Sequence, residues 1–524
     1  MTEPRPNILF IMTDQLRWDY LGCNGHPSIR TPNIDALAAR GVNFTRAFVQ
    51  SPVCGGSRMC FYTGRYNITH GATYNNIPLR IDEKTIGDYL RPLGYRVALV
   101  GKTHFKPDIE AMRRIGIDPA TNPGIPYWQC GFEAFERDDG LHPDGSVDPN
   151  LAYNRWLNQK GYPGANPWHS YANSVEDEDG SVQSGWYLRH AAKPARVKEE
   201  HSETAYMTDR ALDFIDAAGD EPWLLHLSYI KPHWPYVAPA PYHNMYGAAD
   251  VIAPNRSDDE KRNPNPVIAA FMQHEESVNF SKQEVRETVI PTYMGLISQC
   301  DHHIGRVIRH LEKCGLADNT IIVVTSDHGD YLGDHWLGEK DLFHEEVVRI
   351  PLIVVDPRKS ADAARGSRDE RLVESIDLLP TFLDIAGGKP EPHRLEGRSL
   401  APLLRGEGSD WRDATHCDSD FALRHARRTL NLPAYKARGY MVRTARWKYV
   451  FFEEFPPQLF ELAIDPHELN DLGRAEGYDS VKAEMERRVF DWFRARRTRV
   501  TISDETIEAL TGKARERGYI FGAW

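Results

Sequence analysis

An α/β fold, with a mostly parallel sheet flanked by helices and a smaller C-terminal α+β subdomain, is predicted by three features of the 524-residue chain. Short apolar runs alternate with longer segments of helical character, the pattern of parallel strands joined by crossover helices. Asp14, Lys102, His233 and Asp327 each fall just past the carboxyl end of a predicted strand, where open α/β sheets place ligand sites. From about Leu400 the alternation gives way to closely spaced β-type runs.

The first run, Asn7 to Met12, is far shorter than the roughly 18 to 20 apolar residues of a membrane span. It also lacks the charged leader and small-residue cleavage site of a signal peptide, so it is predicted as a strand over Ile8 to Met12. Further strands are predicted at Arg96 to Val100, Trp223 to Tyr229, Thr320 to Thr325 and Pro351 to Val355. Thr31 and Pro32 read as cap and first-turn proline of a helix over Asn33 to Arg40. Met294, Leu296, Ile297, Ile304, Val307, Ile308 and Leu311 mark the apolar face of a second helix over Thr292 to Lys313.

These elements assign residues 1–400 to a catalytic domain, with irregular insertions near 107–200 and 236–290 that are expected to form lids or substrate walls. Residues 401–500 are expected to form the subdomain, with a hairpin across Tyr440 to Phe452. The tail, 501–524, reads as a helix-like segment with an aromatic end that is expected to dock on its own body or on a second subunit, making a dimer or tetramer.

The balance of 63 Lys+Arg against 75 Asp+Glu, without a long basic run, argues against a nucleic-acid partner. No segment is apolar enough to span a membrane, and a cytoplasmic location is expected. The seven cysteines are odd in number and scattered, which argues against a disulfide framework.

Carboxylate and imidazole donors at two strand ends, Asp14 and the pair Asp327-His328, can hold a divalent cation; taken alone, an Asp-His pair also suits a turn or a helix cap. Lys102 and His104, two apart at a strand end, can reach one anion. In Lys231-Pro232-His233-Trp234-Pro235 the prolines restrict the backbone around an imidazole able to serve as an acid.

The stretch Cys54-Gly55-Gly56-Ser57-Arg58 resembles the maturation signature of the type I sulfatase family, with Gly56 where the family usually has Pro. Gly101-Lys102-Thr103-His104, the Lys231 to Pro235 element, Gly338-Glu339-Lys340, and the later Tyr440 to Phe452 and Asp465-Pro466-His467-Glu468-Leu469 segments resemble that family in order, over about residues 6 to 475. Asp14-Gln15 and Asp327-His328 instead look like the branch containing phosphonate monoester hydrolases.

The resemblance implies an alkaline-phosphatase-like fold and a nucleophile made by oxidising Cys54 to formylglycine, which requires a formylglycine-generating enzyme. It implies one divalent metal, Ca or Mn with Zn as an alternative, held by Asp14, Gln15, Cys54, Asp327 and His328. Lys102, Lys340 and Arg58 would hold the non-bridging oxygens, with Gln15 and Asn76 also contacting substrate and Asn75 as the alternative to Asn76. His233 would protonate the leaving group, and His104 would take a proton as a covalent sulfo-enzyme hemiacetal breaks down. The implied reaction is hydrolysis of sulfate monoesters, arylsulfatase-like and promiscuous; the alternatives are a phosphonate monoester or phosphodiester hydrolase, and an unmatured metal and anion binder.

Overall fold

A computed structural model describes residues 5–118, 129–408, 410–520 and 522. Its central sheet has eight strands: β1 (Asn7–Asp14), β2 (Val42–Phe44), β3 (Arg96–Gly101), β4 (Glu133–Arg137), β5 (Trp223–Pro232), β6 (Thr320–Ser326), β7 (Leu352–Val355) and β8 (Ser367–Asp369), in the order β8-β2-β7-β6-β1-β5-β3-β4. β1 pairs in parallel with β5 and β6, and β3 pairs in parallel with β5 and β4, so these strands deliver their carboxyl ends to one edge.

The predicted Pro351 to Val355 strand exists as β7 but runs antiparallel to both β6 and β2. The connection from β6 carries the strand-end residues Asp327 and His328 and only short helices, the longest Glu345–Val348, so no crossover helix returns the chain to run parallel.

β1 shows why the sheet lies at the centre. Ile8, Phe10 and Met12 point into one apolar core and Leu9 and Ile11 into another, all fully buried. Successive side chains leave opposite faces of a strand, so a continuous apolar run suits a sheet covered on both sides. Each such side chain contributes roughly 1.5–3 kcal/mol of burial free energy.

The covering helices include α1 (Pro32–Arg40), α2 (Cys54–Thr63), α3 (Glu203–Ala217) and α4 (Gln283–Lys313). α4 begins nine residues before the predicted start and carries the buried Pro291 within it. Val289, Ile290, Tyr293 and Met294 are buried around that proline, so packing outweighs the lost backbone hydrogen bond.

A second sheet, wholly antiparallel, consists of β9 (Ala414–Asp420), β10 (Arg438–Thr444), β11 (Trp447–Phe452) and β12 (Phe455–Glu461), with α5 (Asp479–Arg494) against it. Within the tail, α6 (Asp504–Leu510) buries no residue, and Tyr519 and Ile520 are exposed, so among the described residues this helix and these two side chains are not packed into the body. Phe521 and Trp524, the rest of the predicted aromatic end, lie outside the described residues. Part of the first predicted insertion, 119–128, does so too.

Candidate active site

The parallel strand ends and the start of α2 meet at one buried point. β1 ends on Asp14, and a register shift after Thr13 places Asp14 opposite Pro232, next to His233. Asp327 and His328 follow β6, and Lys102 follows β3. Cys54 opens α2 after an extended Val53, and every residue of α2 is buried. The two glycines after Cys54 permit this closeness: a β-carbon at Gly56 would lie 2.6 Å from both Asn67 Oδ1 and Ser51 Oγ, and one at Gly55 2.9 Å from Asn75 Oδ1.

Around the Cys54 sulfur stand His328 Nε2 at 3.0 Å, Lys340 Nζ at 3.2 Å and Asp14 Oδ1 at 3.8 Å. Lys340 also donates to Gln15 Oε1 at 3.0 Å and to His233 Nε2 at 3.2 Å. Lys102 Nζ pairs with Asp14 Oδ2 at 2.6 Å. His104 is half-buried beside this cluster, with its Nδ1 buried and unpartnered.

Arg58 is spent on structure. Its Nε donates to Asp327 Oδ2 at 2.8 Å, Nη2 to Asp14 Oδ2 at 3.1 Å, and Nη1 to Ser228 Oγ at 2.7 Å and the Lys102 carbonyl at 2.9 Å. With its donors engaged at zero exposure, it orients the carboxylates and does not reach for a substrate oxygen, which corrects the oxygen-holding role implied by the sequence.

The expected Asn76 contact also changes. Asn76 is exposed at a left-handed turn position (φ 65°), whereas Asn75 Oδ1 accepts from the Gly55 amide at 2.8 Å, one residue from Cys54. Neighbouring asparagines in a turn point in different directions, and residue type alone cannot say which turns inward.

Burial pushes the Cys54 thiol up, but Lys340, His328 and Lys102, with a hydrogen bond from His104, pull it well below its ordinary value. Burial and Cys54 raise the Asp14 carboxyl, and Lys102, His233 and Arg58 outweigh them to hold it below the usual range. Burial and the charge of Lys340 lower His233. These opposing pulls describe a dry site that stabilises negative charge at position 54.

Asp14, Cys54, Asp327 and His328 present ligand atoms within 4.8 Å of one another, all buried. The donor set fits a divalent cation. His328 Nδ1 faces the Gly329 carbonyl at 2.8 Å, leaving Nε2 to the cluster, the orientation a metal-binding imidazole needs. Burial lowers the His328 imidazolium, yet Asp327 and Cys54 raise it to about 9, so the spot draws positive charge.

Further side chains, none of them singled out from the sequence as a site residue, complete the surroundings. Asp330 accepts from Gln15 Nε2 at 2.5 Å and from the Tyr236 hydroxyl at 2.6 Å. Asp139 Oδ1 accepts from the Thr103 and His104 amides, both at 2.8 Å, fixing the turn that carries Lys102 and His104. The Trp234 indole donates to Glu339, tying the His233 loop to the Lys340 loop. Among these, Asp330 lies in the run Asp327-His328-Gly329-Asp330, and Trp234 and Glu339 lie inside the motifs around His233 and Lys340.

A family model described as Sulfatase matches residues 6–388, and one described as N-sulphoglucosamine sulphohydrolase, C-terminal, matches residues 333–494. The chain is 32% identical over 513 residues to the "Multifunctional alkaline phosphatase superfamily protein PehA" of Trinickia caryophylli, covering 93% of this chain and 95% of that one. It is 28% identical over 493 residues to an arylsulfatase of Clostridium perfringens, covering 90% and 91%. The solved phosphonate monoester hydrolase of Agrobacterium radiobacter matches with a TM-score of 0.80 at 28% identity, covering 94% of this chain and 96% of that one. With its buried strand-end cluster, its fold and its sequence in agreement over most of its length, the chain belongs to the sulfatase family of the alkaline phosphatase superfamily.

Proposed function

We propose that the protein hydrolyses sulfate monoesters, using a formylglycine made from Cys54 as nucleophile and one divalent metal held by Asp14, Gln15, Asp327 and His328. The observation that carries this reading is the placement of two buried lysines, Lys102 and Lys340, on the Cys54 cluster, with Lys340 Nζ 3.2 Å from the sulfur. The sulfur marks the place of the matured residue's oxygen. When present, the hydrated aldehyde supplies an attacking hydroxyl and the metal supplies Lewis-acid charge.

The chain's own residues supply the rest. Lys102 and Lys340 hold the non-bridging oxygens of a tetrahedral anion, and as dry, fixed charges they stabilise the charge that builds in the transition state. In its imidazolium form His233 would give a proton to the leaving oxygen from Nε2, once a substrate oxygen replaces that nitrogen as the acceptor of the Lys340 ammonium, while Nδ1 stays on the Trp234 carbonyl at 2.5 Å. His104, whose Nδ1 is buried without a partner, accepts a proton in the second half of the cycle. Asn75, bonded to the Gly55 amide, holds the entry to α2.

A second reading, hydrolysis of phosphonate monoesters, is favoured by one specific observation: His328 joins Asp14 and Asp327 in the buried cluster, with the Gln15 amide beside it at Lys340, so an imidazole and an amide would add to two carboxylates at the metal. The donor set admits Ca²⁺, Mn²⁺ or Zn²⁺, and its nitrogen favours the latter two. All seven cysteines are free, in keeping with a cytoplasmic location, and no described helix is long and apolar enough to cross a membrane. The unpacked tail supports assembly with further copies, as a dimer or tetramer.

The deciding experiment is kcat/KM on matched aryl sulfate and aryl phosphonate monoesters with one metal-replete preparation, beside the mass of the Cys54 peptide. Preference for sulfate and an aldehyde mass support the proposal. Preference for phosphonate transfers it to the second reading, and an unmodified cysteine with full activity refutes the nucleophile.

A further inference from the structure

Far from the active site, at the carboxyl ends of α3 and α4, three donors from two helices meet on the surface. His310 and Cys314 stand four apart near the end of α4, so they share one face of the helix. Asp216 comes from the last turn of α3. Cys314 is the one cysteine that is exposed; the other six are buried or half-buried. Asp216 and Cys314 are exposed and His310 is half-buried, so an ion in water can reach all three.

The separations have metal-site proportions. His310 Nε2 lies 3.6 Å from Cys314 Sγ and 2.8 Å from Asp216 Oδ1, and Asp216 Oδ1 lies 3.9 Å from the same sulfur. Zinc bonds of about 2.3 Å to sulfur and about 2.0–2.2 Å to nitrogen and oxygen, set at tetrahedral angles, give ligand edges of about 3.6 Å for sulfur to nitrogen or oxygen and about 3.4 Å for nitrogen to oxygen. The sulfur–nitrogen edge already matches. The nitrogen–oxygen edge is short because these atoms share a hydrogen bond, which a metal would replace.

The scaffold is firm. Beside the donors, Leu311 of α4 and Phe214 and Ile215 of α3 are buried in the apolar core, which holds the two helix ends together. Donors on packed helices keep their spacing better than donors on loops.

We propose that Asp216, His310 and Cys314 form a second metal site, an exposed three-donor site for zinc or a similar thiophilic divalent ion, with solvent in the fourth position. A thiolate, an imidazole and a carboxylate suit zinc and disfavour calcium or magnesium, which prefer oxygen donors. Thiolate and carboxylate together neutralise the charge of the ion, and the thiol proton passes to solvent on binding. The site is separate from the catalytic cluster and does not depend on which ester the enzyme cleaves.

The test loads the full-length protein and its Cys314→Ala and His310→Ala variants with zinc chloride, removes unbound ion by gel filtration, and counts zinc by mass spectrometry. The parent is expected to keep one equivalent more than either variant, because the catalytic site contributes equally to all three. With cobalt chloride as the probe, the parent should show a thiolate-to-cobalt charge-transfer absorption that Cys314→Ala loses, while ester hydrolysis stays at the parental rate. Equal zinc in all three proteins, a loss confined to Cys314→Ala, or a cobalt spectrum unchanged by that substitution would overturn the proposal.

Discussion

Arg58 Nε and Asp327 Oδ2 form an ion pair of 2.8 Å at zero exposure, linking the helix that opens with Cys54 to the end of β6. The same guanidinium reaches Asp14 at 3.1 Å, so one side chain joins the helix to both carboxylate-bearing strand ends.

Replacing Arg58 by Leu should therefore damage stability before it damages anything else. Two buried carboxylates would lose their partner, and breaking such a pair costs about 3–5 kcal/mol. Denaturant unfolding of metal-free protein should show that loss, and Arg58→Lys should recover part of it, because the charge returns without the planar fork. A stability within 1 kcal/mol of the parent for Arg58→Leu, on the order of a surface change, would contradict this placement.

Cys54→Ala removes the nucleophile of the proposed reaction while taking only one atom from a buried position. Turnover of every ester should fall by at least about a thousandfold, with the thermal midpoint little changed. Retention of near-parental kcat would exclude position 54 from the chemistry.

His233→Ala should separate substrates by leaving group. Esters of aliphatic alcohols need a proton at the departing oxygen and should lose about 10²–10⁴-fold in kcat/KM, whereas esters of acidic phenols should lose far less. A uniform loss across a leaving-group series would assign His233 to binding.

A pH effect is expected away from the catalytic cluster. His335 is buried between Glu260 Oε1 at 2.7 Å and Glu346 Oε2 at 3.3 Å, with Asp334 beside it and His344 stacked at 3.9 Å. Burial lowers this imidazolium, but Glu346 and Glu260 raise it to about 10. The unfolded value is about 6.5, so the native state holds a proton that the unfolded chain has lost between those limits. The contribution is full below about pH 6.5 and disappears as pH rises through about 10, with a slope of up to about 1.4 kcal/mol per pH unit. Unfolding free energies measured from pH 7 to 10 should show that decline, and His335→Gln should flatten it; an identical slope in the variant would remove His335 as the source.

What the sequence made legible follows from how local each signal is. Asp14, Lys102, His233 and Asp327 could be placed because a strand end is a local pattern, and parallel strands bring such ends together. Asn76 was misplaced because a one-residue shift in a turn reverses which side chain faces inward. Ser228, Asp139 and Tyr236 carried no signal, since each matters only through a neighbour distant in sequence. The early start of α4 was hidden by Pro291, where local propensity argues for a boundary and tertiary packing overrides it.

α2 is closed in on all sides, and Cys54 has no accessible surface. A second enzyme could not bring its own catalytic groups to that sulfur once the sheet has formed. Any conversion of Cys54 must therefore be finished while the segment is still an extended peptide, and folding fixes the outcome. Under the proposed chemistry, molecules that fold first would be locked in the thiol form, and the active fraction of a preparation would be set by a race during synthesis and not by later treatment.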